Sequence, residues 1–231
     1  MDEDFRLRLE SAVKASRDQY LLHGARSDAK LKPLHGWVIE ELREGLGKNY
    51  TLAGKTLHGG AEMKVGGRYY PKNVDVAISR DGMVIGVVSV KFVQSNYRQN
   101  KNNYFEQQLG ETANLRSSDI VFGQIMLFPE PIPYFSRNSE TRHTEHVTDD
   151  VIERYAKLAQ DHSQHHVPEA QCMAIFLLDE ERRRVLRICK RSDLPKVSAE
   201  SFSLLTGKLG IYRFFEEMTA AVKAKYMKRR S

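Results

Sequence analysis

NVDVAISRDGMVIGVVSVKFVQSNYRQNKNNYFEQQLGE, residues 73–111, is the stretch on which the reading of the whole chain turns. Two β-branched runs, 73–78 and 83–92, flank Ser79-Arg80-Asp81-Gly82. Alternating apolar runs around a four-residue turn that carries Asp-Gly spell a hairpin. Side chains alternate across a strand. Ser89 and Lys91 therefore share a face with Ile85 and Val87, whereas Val88, Val90 and Phe92 point the other way, and Asp75 falls on the face of Asn73 and Ala77. A lysine and an aspartate in the middle of otherwise apolar strands need partners, because an unpaired charge there is costly. The least costly set is each other together with a metal ion.

An acidic residue on one hairpin strand, an X-Lys dipeptide late in the next and a polar helix behind them resemble the PD-(D/E)XK nuclease superfamily, the fold of most type II restriction endonucleases. The resemblance covers roughly residues 35–128. It implies Asp75 as the metal-binding aspartate and Lys91 as the lysine, with Ser89 where the pattern usually has Asp or Glu. Asp75 follows Val74 rather than a proline. A subgroup of restriction enzymes carries Ser-X-Lys and takes the missing carboxylate from the following helix, about four helical turns of sequence later. Here that implies Glu106, with Glu111 as second choice. The same resemblance implies a restriction-endonuclease-like core, Mg²⁺ as cofactor, a backbone carbonyl near Val90 as a further ligand, and a glutamate from the first core helix. Glu41 lies nearer that helix's apolar stripe than Glu44, with Glu40 the other candidate; a solvent-facing role is the alternative for each.

Composition sets the bounds. A chain of 231 residues with 41% hydrophobic content has room for one sizeable core, so one nuclease domain over 1–231 is expected, with its core at about 35–128. Lys and Arg number 36 against 30 Asp and Glu, for a net charge of +6. This excess suits a polyanionic partner and equally an ordinary solvated surface. Cys172 and Cys189 lie in or beside apolar runs without metal-ligand spacing, as buried thiols of an intracellular protein do. No segment has the length of a membrane span and Met1–Ser11 is charged, so a cytoplasmic protein is expected. There is no GxxxxGK[ST], CxxC or GxSxG, which excludes P-loop ATPases, zinc ribbons and elbow-type serine hydrolases.

Outward from the hairpin, the spacing predicts helices over 3–22 and 34–47, ended by Gly24 and Gly47 and joined by a loop at 25–33. Residues 48–72 read as short strands and basic, glycine-rich loops whose Lys55, Lys64, Arg68 and Lys72 suit phosphate contact. After Lys91 comes a run rich in amides, including Asn96, Arg98, Gln99, Asn100, Lys101 and Asn102. Such side chains pair with base edges in the major groove; the alternative is a polar turn capping the next helix. That helix, about 103–115, presents Phe105, Leu109 and Ala113 inward, so spacing prefers Glu106 over Glu111. A strand at 119–128 ends at the prolines. The 134–146 stretch reads as a polar loop with Arg137 and Arg142 available to DNA, and a zinc site at His143 and His146 lacks a pattern. Residues 148–231 complete the sheet through a helix at 148–161 and strands at 172–179 and 185–189, then finish in a basic amphipathic helix from Ile211 to Arg230.

The expected fold is therefore α/β, a mixed central sheet flanked by helices. The expected activity is Mg²⁺-dependent, sequence-specific cleavage of double-stranded DNA by a homodimer, with a cognate DNA methyltransferase in the same system. The competing expectations are a catalytically inactive nucleic-acid-binding module, a nonspecific or repair-type nuclease, and a plain interaction domain.

Overall fold

Apolar residues at helical spacing build α1 (Glu3–His23) and α2 (Lys32–Leu46), each followed by a glycine, Gly24 or Gly47, at φ 80°. Side-chain-bearing residues rarely adopt that conformation, so both helices stop where the spacing predicts. A computed structural model describes residues 2–116, 118–136, 141–161 and 167–230. In it α2 starts two residues before the predicted Leu34, since Pro33 is tolerated in a first helical turn. The preceding loop contains a 3-10 turn, Asp28–Leu31. The glycine-rich segment forms the short strands β1 (Thr51–Gly54), β2 (Met63–Val65) and β3 (Lys72–Val74).

The hairpin pairs β4 (Val76–Arg80) with β5 (Met83–Phe92). Asp81 and Gly82 take φ 50° and 76°, and two consecutive positive values mark a two-residue type I′ turn. It is thus tighter than the four-residue turn read from the sequence. Asp75 separates β3, which pairs with β2, from β4, which pairs with β1. One continuous 73–78 strand does not form. The register of β4 on β5 shifts between Ile78 and Ser79. This bulge moves Ile85 into the cluster of Val88, Val90 and Phe92, off the face of Ser89 and Lys91.

Beyond β5 the chain forms α3 (Tyr97–Arg116), β6 (Val121–Glu130), β7 (Ile132–Phe135), β8 (Thr141–Glu145), α4 (Asp149–Gln160), β9 (Ala170–Asp179), β10 (Arg184–Ile188), α5 (Ala199–Thr206) and α6 (Ile211–Arg230). Among the described residues the central sheet has six strands in the order β1-β4-β5-β6-β9-β10, parallel within β5-β6-β9 and antiparallel outside it. The expected mixed α/β sheet with helices on both sides is what the chain builds.

Three elements depart from the sequence reading. β6 runs through Pro129 to Glu130 because the β5 ladder ends at Leu127, so no strand on that side needs the N–H that proline lacks. Where the 134–146 stretch reads as a loop, its described residues contribute to β7 and β8, which pair antiparallel. α5 was not expected, being only eight residues long. No helix among the described residues is long and apolar enough to cross a membrane.

One sheet face packs on α1, α2 and α6 through Leu9, Leu42, Ile78, Val88, Ile125 and Phe214. α6 comes close because β5 and β6 present glycines to it. A Cβ on Gly86 would stand 2.8 Å from Val222, and one on Gly123 would stand 2.9 Å from Phe214. Phe214 is fully buried there. Phe214→Ala should therefore cost about 3–5 kcal/mol, read as a lowered midpoint in urea; a loss under about 1 kcal/mol would show that α6 is not held by this contact.

Candidate functional site

Three elements converge on the cleft behind the hairpin. The break between β3 and β4 presents Asp75, the far half of β5 presents Ser89 and Lys91, and α3 presents Glu111. Asp75 Oδ2 accepts from the Val90 amide at 2.8 Å and from the Ser89 hydroxyl at 3.3 Å. The aspartate is thus clamped on one oxygen by the strand that carries the lysine. Lys91 Nζ stands 3.6 Å from Glu111 Oε1, and Lys72 Nζ stands 3.1 Å from the same oxygen. The cleft encloses about 30 Å³, room for about one or two waters or a bare ion.

α3 corrects the preferred helix glutamate. Spacing favours Glu106, but Glu106 is exposed, whereas Glu111 is only 5% exposed and faces the lysines. The cause is the phase of the helix. α3 begins at Tyr97, not near Asn103, and turns Tyr97, Gln108, Glu111, Thr112 and Leu115 inward while Phe105, Leu109 and Ala113 are only half-buried. A buried face made largely of polar residues is invisible to a search for apolar period.

That face meets a polar seam in the sheet. Ser89, Gln124 and Gln171 are register neighbours on β5, β6 and β9, and all are buried. The seam parts two apolar clusters on this side, one holding Val87 and Phe122 and the other Met126 and Met173. Among the described residues, Gln108 and Gln171 have neither side-chain amide atom paired, and Gln124 Oε1 and Glu111 Oε2 are likewise unpaired. Gln124, an amide inside an apolar strand, is the same kind of signal as Ser89 and was legible in the sequence.

Glu41 is not part of the cleft. It is buried, but Arg8 of α1 takes both its oxygens at 2.8 and 3.1 Å. The α2 residue that does approach is His35, which is 3% exposed. Its Nδ1 lies 3.1 Å from the Lys55 carbonyl and its Nε2 lies 4.0 Å from Asp75 Oδ1. Burial pushes this imidazole down from its usual range, against the opposing pull of Asp75. The neutral form donates Nδ1–H to the carbonyl and leaves the Nε2 lone pair facing Asp75. Nothing in the sequence pattern singles out His35.

The candidate DNA contacts divide. Lys64, Arg68, Arg98, Gln99 and Asn102 are exposed. Lys72 is turned into the cleft, and Lys55 is engaged by Asp28 at 3.0 Å and Glu62 at 3.5 Å. The amide-rich run is the first part of α3 and its approach rather than a turn. Asn96 exchanges two hydrogen bonds with the Phe135 backbone, Asn100 donates to the Asn96 carbonyl, and Lys101 sits 3.6 Å from Asp150. Gln99 accepts from Tyr134 and Asn102 from Arg154. Arg137 lies outside the described residues, as does the side chain of Arg142.

The chain matches no protein-family model, no curated protein and no solved structure. The site must be read from its own geometry.

The basic loop before β3 is tethered to the helix that carries Glu111. Asn114 Oδ1 accepts from the Tyr69 amide at 2.9 Å, its Nδ2 donates to the Tyr70 carbonyl at 3.0 Å, and the Arg68 amide donates to the Asn114 carbonyl at 2.8 Å. Gly67 leaves room for this, since a Cβ there would fall 2.2 Å from Asn114 Nδ2. Asn114→Ala should free the loop at a cost of about 1–3 kcal/mol and speed tryptic cleavage at Arg68. Unchanged cleavage would mean that the tether does not hold it.

The donor set suits a hard divalent cation. Asp75 Oδ1 accepts no hydrogen bond among the described residues, and buried Glu111 Oε2 is unpaired. Carboxylate oxygens are what Mg²⁺ binds. No group of three or more His, Cys, Asp or Glu among the described residues encloses an ion by itself, so water or substrate oxygens would complete the shell.

Proposed function

We propose that this protein is a Mg²⁺-dependent, sequence-specific double-stranded DNA endonuclease of the type II restriction class, resembling the PD-(D/E)XK superfamily. One observation carries the reading: Asp75, Ser89, Lys91 and Glu111 line a single cleft, with Asp75 clamped by the backbone and hydroxyl of the Ser-X-Lys strand.

Asp75 and Glu111 would hold the cation, with the Val90 carbonyl as a further oxygen. When bound, Mg²⁺ supplies charge neutralisation at the phosphate and a lowered pKa for attacking water. Lys91 orients that water and stabilises the negative charge that grows on the phosphate oxygens. Ser89 donates to Asp75 and fixes which oxygen remains open. Lys72 and Lys91 flank Glu111, so a helix carboxylate can sit almost fully buried without an uncompensated charge.

Lys64, Arg68 and Arg98, exposed cations, would carry phosphate contacts whose strength falls with salt. Cutting both strands of a symmetric site calls for two copies, so a homodimer on DNA is part of the proposal, as is a companion methyltransferase protecting the host site. Sedimentation with a short duplex reads the dimer.

The test is incubation with phage DNA in Mg²⁺, with and without EDTA. Discrete fragments that vanish with EDTA are expected. A smear would indicate a nonspecific or repair-type nuclease. DNA that is bound yet intact would leave a nucleic-acid-binding module, and no salt-dependent affinity would leave neither reading standing.

A further inference from the structure

Beside the cleft, two hydrogen-bond acceptors of the described residues, His35 Nε2 and Asp75 Oδ1, face each other. His35 gives its Nδ1–H to the Lys55 carbonyl at 3.1 Å, so the lone pair of Nε2 points at Asp75 Oδ1, 4.0 Å away. Nε2 is buried and has no hydrogen-bond partner among the described residues. Asp75 Oδ2 is already filled by Val90 and Ser89, which leaves Oδ1 as the oxygen open to a ligand. A cation arriving at Asp75 must therefore arrive beside the His35 nitrogen.

The spacing is informative. A direct hydrogen bond would need about 2.7–3.2 Å. Two ligands on one ion, each about 2.1 Å from it, stand about 3.0 Å apart when adjacent and about 4.2 Å apart when opposite. The observed 4.0 Å falls inside that span. Metal-binding histidines, moreover, characteristically donate their second ring N–H to a carbonyl or carboxylate, which fixes the tautomer. His35 already does this with Lys55.

We infer that His35 Nε2 is a direct ligand of the divalent cation held by Asp75, and that the site consequently favours an imidazole-accepting ion such as Mn²⁺ over Mg²⁺. The inference rests on the metal-site reading above, though not on DNA being the substrate. Imidazole is a borderline ligand that suits transition ions, whereas Mg²⁺ takes oxygen almost exclusively. Glutamate from α2 is thereby replaced in this role by a histidine two turns earlier on the same helix.

The test uses the full chain and Mn²⁺ alone. Electron paramagnetic resonance counts the bound ion, and electron spin-echo modulation detects a nitrogen bonded to it. Protein grown with ¹⁵N-histidine, which alters no contact, should change the modulation pattern. His35→Gln should abolish it and weaken Mn²⁺ binding by about 10–100-fold, the range that loss of a supporting metal-site group already produces. Circular dichroism would confirm that the variant is folded.

Bound Mn²⁺ without nitrogen modulation overturns the inference even if DNA is cut. Modulation that survives in His35→Gln overturns it too, by placing the ion at another histidine, and so does a failure to bind Mn²⁺ at all. Nitrogen-coupled Mn²⁺ in a protein that leaves DNA intact would sustain the inference while the nuclease reading fell.

Discussion

Lys91→Ala and Asp75→Ala should each slow nicking of supercoiled plasmid in Mg²⁺ by about 100- to 10,000-fold, the range spanned by loss of a positioned proton-transfer group, while mobility-shift binding of DNA is largely kept. The two substitutions act through different physics. Lys91 is partly exposed, and its removal still leaves Lys72 beside Glu111. Its loss is therefore expected to be chemical rather than structural. Removing Asp75 instead strips the Val90 amide and the Ser89 hydroxyl of their acceptor, and an unsatisfied buried donor costs about 1–3 kcal/mol. Asp75→Asn keeps an acceptor in place and isolates the charge, so its activity should be as low as that of Asp75→Ala with a smaller stability loss. Either lysine or aspartate variant nicking as fast as the parent would end the assignment.

The second large effect separates two glutamates five residues apart on one helix. Glu111→Gln should lower cleavage by about 100-fold or more, whereas Glu106→Gln should stay within about twofold, as a substitution on an exposed helix surface does. Glu111 is nearly fully buried between Lys72 and Lys91 and keeps one oxygen unpaired. Neutralising it removes the proposed ligand charge and leaves two ammonium groups repelling each other across the cleft. Those lysines are partly exposed and can turn to solvent, so stability should fall far less than activity. Measured on plasmid with urea melts in parallel, the reverse order of the two variants would move the helix ligand to Glu106.

Much of the architecture was legible because it obeys short-range rules. Gly24 and Gly47 end helices by backbone conformation alone, and Asp81-Gly82 turns a hairpin for the same reason. The pairing of Asp75 with the Ser89–Lys91 strand was legible from the cost of isolated charge in an apolar strand. α3 was misread because its inward face is polar. Gln108, Glu111 and Thr112 are inside, so counting apolar residues put the helix in the wrong phase and its start six residues late. Glu41 misled in another way: its place near the apolar stripe made it a metal-ligand candidate with a solvent-facing role as the alternative, whereas it is buried against Arg8, from a helix remote in sequence.

By itself, then, the sequence determined where the first two helices stop and where the hairpin turns, and that an aspartate, a serine and a lysine meet around that hairpin, since these follow from dihedral preference, period and the expense of lone charge. Only the tertiary structure showed which carboxylate and which imidazole stand beside them. Glu111 lines the cleft and His35 comes within 4.0 Å of Asp75 because of how α3 and α2 are rotated against the sheet. Docking angle is set by packing between distant segments, which no local pattern of residues records.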